Sequence, residues 1–324
     1  MPTRSPKPQS RAMDSPDLDT GAKPPFRVLE LYCGIGGCCA ALPRGTEVVA
    51  AMDINDAGLE VYRSNFPDTT VAVNLEFVSA DDLQRRDADL WWLSPPCQPF
   101  TVRGLQRDTE DPRTRSFLRL IDCLRQTPPS YLALENVPGF RGSQTHSVLR
   151  SALDDLGYAV QEVVLCPTEL GVPNRRRRLF LVAGREPLGP MSQMRREPRP
   201  LEAYLDLEPP ADLWVDEALI DRYGHALSIV NDKDSAAVAT CFTSAYGRSP
   251  VRSGSYLETP SGLRRFSPQE ILRLLGFPAD FLLPSDLPTS VAWRLVGNSL
   301  SVAAARHVLT AIPALANDRA AYSR

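Results

Sequence analysis

The sequence predicts an α/β protein with a doubly wound, mainly parallel sheet and a smaller second domain. Short apolar segments alternate with amphipathic ones through the first part of the chain, the pattern of strands joined by helical crossovers. Glycine, an acidic residue or cysteine comes directly after several of these segments. The functional residues of such sheets lie there, just past the carboxyl ends of the strands. A chain of 324 residues is long enough for one large α/β domain plus a smaller one.

Five short apolar segments are the predicted strands of the sheet. They are Phe26–Tyr32, Glu47–Asp53, Leu90–Leu93, Tyr131–Leu134 and Arg178–Ala183. The segments between them carry apolar residues at helical spacing. The predicted helices are a short one through Leu42, then Ala57–Asn65, Ser116–Gln126 with Ser116 as its N-cap, and Ser147–Leu156 ended by Gly157.

The later part of the chain differs in composition and has a less regular apolar pattern, and this change sets the predicted domain boundaries. These are a disordered tail at 1–25, a main domain at 26–186, a small domain at 187–283 and a returning helical segment at 284–324. Within the small domain, Ser267–Glu270 is a capping box that opens a helix to Leu275. Val291–Ile312 is apolar and helical, and we expect it to pack on the main domain.

Composition excludes several classes of protein. No apolar run approaches the roughly 20 residues of a membrane helix, and the N-terminal stretch does not resemble a signal peptide. Seven cysteines without a CxxC pair, together with three scattered histidines, disfavour a disulfide framework, a metal site and a Ser-His-Asp triad. We therefore expect a cytoplasmic protein with no membrane partner. The net charge of −3 argues weakly against nucleic acid, although the arginine-rich cation content suits phosphate contacts.

A glycine-rich turn follows the first predicted strand. Residues 30–37 read ELYCGIGG, and glycines there let the backbone approach a bound cofactor closely, although a tight turn alone needs them equally. Asp53 closes the second strand, where a carboxylate would hold ribose hydroxyls. Together these features predict an adenosine cofactor, either a dinucleotide or S-adenosylmethionine.

A cysteine between prolines follows the third predicted strand, in the sequence SPPCQPF. Prolines fix the loop, so Cys97 can act as a nucleophile, although a free cysteine more often serves as a small hydrophobe. A thiol at this position points to methylation of a carbon atom such as C5 of cytosine. C5 cannot attack a methylsulfonium unaided, whereas addition of a thiolate at C6 gives C5 the character of a carbanion. Protonation at N3 assists that addition. Glu135, which ends an apolar strand, is the candidate acid, with capping of the next element as the alternative.

An arginine run, NRRRR at 174–178, precedes the last predicted strand. Alternate residues entering a strand point to one face, so Arg176 and Arg178 would share a side. They could hold Glu135 and the carbonyl of the base. For Arg175 and Arg177, a solvated run that contacts phosphate is an equal alternative.

These motifs, in this order, resemble the cytosine-C5 methyltransferase family over roughly Arg27 to Leu309. The resemblance implies a class I S-adenosylmethionine-dependent methyltransferase, Rossmann-like in fold, with a catalytic domain at 26–186 and target recognition at 187–283. It implies that Cys97 bonds to C6 of cytosine, that Arg176 supports Glu135 and that Arg178 contacts the base. The implied cofactor residues are Tyr32, Gly34, Ile35, Gly37, Asp53 at the ribose, Ile54 at the adenine, Asn74, Leu75, Pro96, Asn298 and Ser299.

A further resemblance concerns the substrate. CFTSAYG at 241–247 is similar to the CFTxxYG signature of the branch called DNA methyltransferase homologue 2, whose members methylate cytosine-38 of a tRNA anticodon loop. The short second domain fits that branch, because reading DNA in the major groove normally needs a longer insert. An anticodon loop of tRNA-Asp or tRNA-Glu presents splayed bases that are easily extruded. The implied substrate-binding residues are Gln98, Arg103, Cys241, Thr243 and Tyr246, and Arg107, Arg113 and Arg115 are further candidates for phosphate contacts.

Three other functions remain open from the sequence. A DNA cytosine-C5 methyltransferase would share the chemistry and differ only in substrate. A non-catalytic nucleic-acid-binding relative is disfavoured by the intact Cys97, Glu135 and Arg178 set. An NAD-linked oxidoreductase rests on the glycine-rich turn alone.

Overall fold

The computed structural model describes residues 24–97, 111–191 and 195–316, and its central feature is a seven-stranded sheet. The strands are β1 (Phe26–Leu31), β2 (Thr46–Asp53), β3 (Thr70–Ala72), β4 (Leu90–Leu93), β5 (Tyr131–Asn136), β6 (Ala159–Leu165) and β7 (Arg178–Gly184). Their order is β3-β2-β1-β4-β5-β7-β6, and β7 runs in the direction opposite to that of the other six strands. This confirms the predicted doubly wound, mainly parallel sheet and adds two strands, β3 and β6.

Helices flank the sheet and follow it in the chain. They are α1 (Asp56–Arg63), α2 (Ala80–Gln84), α3 (Arg115–Gln126), α4 (Gln144–Asp155), α5 (Glu217–Tyr223), α6 (Pro268–Leu275), α7 (Thr289–Asn298), α8 (Val302–Leu309) and α9 (Pro313–Ala316). Alternate residues of β1 point to opposite faces of the sheet. Val28 packs in one hydrophobic cluster with Val308 of α8, and Leu29 packs in another with Phe117 of α3. No helix in the described ranges is long and apolar enough to span a membrane.

Two predicted helix starts differ from the structure. Thr114, not Ser116, is the N-cap of α3, because a short turn at Pro112–Thr114 leads directly into the helix. The Ser116 hydroxyl instead accepts a hydrogen bond from Tyr32 at 2.9 Å. Helix α4 begins earlier than its apolar spacing indicates, because Ser143 caps it by accepting from the His146 amide at 3.0 Å.

The second region carries a small three-stranded sheet. Its strands are β8 (Ser228–Asn231), β9 (Ser255–Thr259) and β10 (Gly262–Arg265), in the order β10-β9-β8. The predicted capping box of α6 is confirmed, and the cap residue Glu270 also makes a buried ion pair with Arg264 at 2.7 Å. Aromatic residues of this region share one hydrophobic cluster with the large sheet. The hydrophobic core is therefore continuous across the predicted domain boundaries at 186 and 283.

The predicted helical stretch near the end of the chain is divided into α7 and α8. Ser299–Ser301 interrupt the helix, and Ser301 caps α8 by accepting from the Ala304 amide. Helix α8 packs back on the main domain as expected, and Arg306 donates to the Ala40 carbonyl at 3.1 Å. Most of the predicted tail, residues 1–23, lies outside the described residues.

Candidate active site

A cavity of about 1020 Å³ opens at the carboxyl ends of β1, β2, β4 and β5. One wall comes from these strand ends, and the other comes from the second region and the end of α7. The predicted residues that line it are Tyr32, Gly34, Ile35, Gly37, Asp53, Ile54, Asn74, Leu75, Pro96, Cys97, Glu135, Arg176, Arg178, Cys241, Thr243, Asn298 and Ser299. Residues distant in sequence therefore meet in one place, as the topology of a parallel sheet requires.

The glycine-rich turn gives the floor of the cavity its shape. Gly34 has a φ of +53°, and a Cβ on it would meet nothing within 4 Å, so this part of the turn faces open space. A Cβ on Gly37 would lie 2.7 Å from Leu300, so the turn packs closely against the chain after α7. The Gly34 amide donates to Asp53 at 2.9 Å and fixes the turn against β2.

Asp53 and Ile54 form a polar and apolar pair beside this turn. Both carboxylate oxygens of Asp53 accept backbone amides, from Gly34 and Asn55, each at 2.9 Å. Each oxygen retains a lone pair that can accept from a ribose hydroxyl. Ile54 is 67% exposed and lines the cavity, so its apolar side chain is available to contact a flat ring. The open space and these two side chains fit an adenosyl group.

Cys97 lies at the cavity beyond β4. The loop before it is held to the neighbouring strand, because Asn136 of β5 donates to the Pro95 carbonyl at 3.3 Å. Burial raises the pKa of the Cys97 thiol, while the positive charge of Arg178 opposes that shift and Glu135 adds to it. The thiol is therefore protonated at neutral pH and must lose its proton when it attacks.

Glu135 is paired with Arg178 across the sheet. The Nε atom of Arg178 lies 3.1 Å from Oε1 of Glu135, and both side chains are largely buried. Arg178 also donates from Nη2 to the Cys241 sulfur at 3.7 Å. It thus bridges the carboxylate of the sheet wall and the thiol of the opposite wall.

Arg176 was expected to support Glu135, and its hydrogen bonds go to other groups. Arg176 is buried and donates to the carbonyls of Phe242 at 2.8 Å, Gly297 at 3.2 Å and Ser299. It lies two residues before β7 begins, beyond the sheet edge, so its guanidinium reaches the second region instead of β5. Arg176 therefore joins the two walls, and Arg178 holds Glu135.

Cys241 lies between the two arginines. Its sulfur accepts from Arg176 at 3.4 Å and from Arg178 at 3.7 Å. Burial opposes the charged thiolate, but the two guanidinium groups outweigh burial and hold the pKa of Cys241 below its ordinary value. Cys97 and Cys241, which both line the cavity, therefore have opposite pKa shifts.

Tyr246 was predicted to bind substrate, and the structure corrects this. Its ring is buried against Phe242 and Trp293, and it does not reach the cavity. Its hydroxyl donates to the Ser255 carbonyl at 2.7 Å and accepts from the Phe266 amide at 2.9 Å. Tyr246 therefore supports the loop that carries Cys241.

Some cavity residues had no strong signal in the sequence. Ser116 enters the wall through its bond with Tyr32, and the segment at 249–253 completes the opposite wall. Only their closeness in sequence to recognised motifs pointed to them. Among the arginines proposed for phosphate contacts, Arg113 lines the cavity, and Arg115 lies 3.9 Å from Glu76. The predicted residues Gln98, Arg103 and Arg107 fall outside the described residues.

Similar proteins share this architecture. The sequence model of the family described as C-5 cytosine-specific DNA methylase matches residues 26–207 and 223–314. The tRNA (cytosine(38)-C(5))-methyltransferase of Bos taurus is 32% identical, over 86% of this chain and 96% of its own. The DNA (cytosine-5)-methyltransferase of Dictyostelium discoideum is 31% identical, over 86% of this chain and 91% of its own. The crystal structure of S. pombe Dnmt2 methyltransferase matches with a TM-score of 0.79 and 30% identity, covering 88% of this chain and 97% of that one.

Proposed function

This chain belongs to the C-5 cytosine-specific DNA methylase family, and from that premise we propose that it methylates C5 of cytosine-38 in the anticodon loop of a tRNA, tRNA-Asp or tRNA-Glu. One observation carries the proposal: the CFTSAYG segment places Cys241 and Thr243 in the same cavity as Cys97. The residues of the segment that resembles the tRNA branch thus lie in the same site as the proposed nucleophile.

S-adenosylmethionine is the proposed cofactor, and when bound it supplies the methyl group. Asp53 would hold its ribose, and Ile54 would cover its adenine. Asn298 and Ser299, at the end of α7, line the cavity near the close approach of Gly37 to the chain. Asn74 and Leu75 line it at the end of β3. These residues come from both walls, so a bound cofactor would contact both walls.

Cys97 and Glu135 carry the proposed covalent chemistry. The Cys97 thiol gives its proton to water and its sulfur bonds to C6, while Glu135 donates a proton to N3, and the electron pair of the C5–C6 bond becomes available at C5. After C5 is methylated, its hydrogen leaves as a proton, the C6–S bond breaks and Cys97 is released. Arg178 keeps Glu135 in place and still has N–H groups for the carbonyl of the base.

The size of the second region supports RNA over DNA. In the part of the stretch between β7 and α7 that the structure describes, it supplies one small sheet, the short helices α5 and α6, short 3-10 turns and loops. An anticodon loop offers a base that is already partly unstacked, so a small region suffices to guide it. The seven cysteines are all free thiols, which suits the cytoplasm where tRNA is modified.

A DNA cytosine-C5 methyltransferase is the second candidate. Two observations favour it: the name of the matching family and the Dictyostelium relative. The chemistry at Cys97 would be the same, so only the substrate discriminates between the two functions.

The test is methyl transfer from labelled S-adenosylmethionine to defined substrates. We expect label in tRNA-Asp or tRNA-Glu transcripts, none in the same transcripts with uridine at position 38, and none in cytosine-containing duplex DNA. Labelling of duplex DNA without labelling of either tRNA would overturn the proposal in favour of the second candidate.

A further inference from the structure

Arg252 has an unusual backbone at the rim of the cavity. Among the described residues, the non-glycine residues with a left-handed φ are Tyr32 at +59°, Asp87 at +48° and Arg252 at +59°. Asp87 lies in a turn outside the cavity, and aspartate tolerates this conformation. Tyr32 and Arg252 both line the cavity. Left-handed backbone costs free energy for most side chains, and such strain concentrates at functional sites.

The loop around Arg252 is held from both sides. The Ser253 carbonyl accepts from the Thr243 amide at 2.8 Å. Next to it, Gly254 leaves no room for a side chain, because a Cβ there would lie 2.5 Å from Phe242 and 2.7 Å from Tyr246. The buried aromatic cluster therefore fixes the path of the chain, and Arg252 is presented at a defined point of the rim.

Arg252 also differs from the other cavity arginines in its partners. Arg113 pairs with Asp111 at 2.6 Å, Arg178 pairs with Glu135 at 3.1 Å, and Arg176 donates to backbone carbonyls. Arg252 is exposed, and within residues 24–97, 111–191 and 195–316 its guanidinium has no hydrogen bond or ion pair. Of the arginines lining the cavity there, it is the one whose charge no protein group satisfies.

We propose that Arg252 binds a backbone phosphate beside the target cytosine and so positions the extruded nucleotide over Cys97. The inference rests on the proposed function, because it takes RNA as the substrate. A nucleotide turned out of its stack brings its flanking phosphates to the rim of the pocket. A guanidinium fork matches phosphate oxygens, and the deeper groups Glu135 and Arg178 already face the base.

The test compares three variants of the full chain, each with the wild type in parallel. Arg252→Gly removes the guanidinium and suits the left-handed backbone, so its melting temperature should be equal or higher. Arg252→Lys keeps the charge. Arg248→Ala is the matched control, because Arg248 is exposed on the same loop but does not line the cavity.

We expect Arg252→Gly to weaken tRNA binding and to raise KM for tRNA about tenfold with a smaller change in kcat. The slope of log Kd against log salt should fall by about 0.7 to 0.9, the loss of one phosphate contact. Arg252→Lys should recover most of the binding, and Arg248→Ala should resemble the wild type.

Wild-type binding and salt dependence in Arg252→Gly, or an equal loss in Arg248→Ala, would overturn the inference. Failure of the proposed function looks different. In that case the wild type binds tRNA without methylating it, and the binding assay still reports on Arg252. A wild type that does not bind tRNA at all overturns both.

Discussion

The two walls of the cavity hold their functional groups by different means. On the sheet wall, Asp53, Cys97 and Glu135 stand at or just past the ends of β2, β4 and β5, so backbone pairing within the sheet positions them. On the opposite wall, Cys241 and Arg252 lie on irregular chain held by side-chain contacts. The proposed catalytic groups are thus positioned by the sheet, and the proposed recognition groups are positioned by side-chain contacts between loops.

Arg176 and Arg178 connect the walls. Arg176 donates to carbonyls of the second region and of the α7 end, and Arg178 reaches both Glu135 and Cys241. If the walls have separate roles, changes on the sheet wall should abolish catalysis, and changes on the opposite wall should weaken it.

The largest effect is expected from Glu135→Gln. This change removes the acid that holds a proton at N3 and the charge that pairs with Arg178, so kcat should fall by about 10²-fold or more. Glu162→Gln is a close control. The side chain of Glu162 is 11% exposed, like that of Glu135, and it is ion-paired with Arg141, but Glu162 does not line the cavity. Steady-state methylation of tRNA measures both. Equal losses in the two variants would remove the distinction between a carboxylate that lines the cavity and one that lies outside it.

A smaller effect is expected from Cys241→Ser on the opposite wall. Serine is shorter than cysteine, so the contacts of the Cys241 sulfur with Arg176 at 3.4 Å and with Arg178 at 3.7 Å would be lost or weakened. We expect a fall in kcat/KM of about tenfold, the order of one lost charge-assisted contact. Cys123→Ser, a buried thiol outside the cavity, controls for the substitution itself. Complete loss of activity in Cys241→Ser, with folding intact, would mean that this wall also carries catalysis.

The smallest effect on activity is expected from Glu30→Gln, which instead changes stability. Burial raises the pKa of Glu30 from 4.5 to about 8, although Tyr62 and the Cys38 amide donate hydrogen bonds to it. Between pH 4.5 and about 8 the folded protein keeps a proton that the unfolded chain has lost. The free energy of unfolding therefore falls as pH rises through that window, by up to about 1.4 kcal/mol per pH unit.

Urea unfolding at several pH values measures this dependence. Glu30→Gln should show a flatter dependence between pH 5 and 8 than the wild type, by about the slope given above. The same change at Glu60, exposed on α1, controls for the loss of one carboxylate. A parallel decline in wild type and Glu30→Gln would show that Glu30 does not keep its proton in the folded protein.

The sheet wall could be predicted from the sequence because its signals are local. A short apolar segment ending in an acid, a thiol or a glycine specifies both a strand and the position of the residue after it. Asp53, Cys97 and Glu135 needed nothing more. The stop signals of α4 and the capping box of α6 are equally local, at Gly157 and Ser267.

The opposite wall depends on contacts between distant residues, which local patterns do not encode. The partners of Arg176 and Arg178 follow from the antiparallel register of β7. Four consecutive arginines have no apolar alternation, so that register cannot be read from the sequence. Tyr246 belongs to a motif beside the cavity, yet its hydroxyl bonds to backbone groups of Ser255 in β9 and of Phe266, just after β10. Arg252 has a backbone conformation that no sequence pattern indicates.

The most direct test of the account is covalent trapping. The wild-type chain is incubated with S-adenosylmethionine and the tRNA substrate carrying 5-fluorocytosine at position 38, whose fluorine cannot leave as a proton does. We predict a protein–RNA adduct that survives denaturation, maps by mass spectrometry to Cys97 and is absent in Cys97→Ser. Binding of this tRNA by the wild-type chain with no adduct, or an adduct on Cys241, would contradict the assignment of Cys97 as the nucleophile.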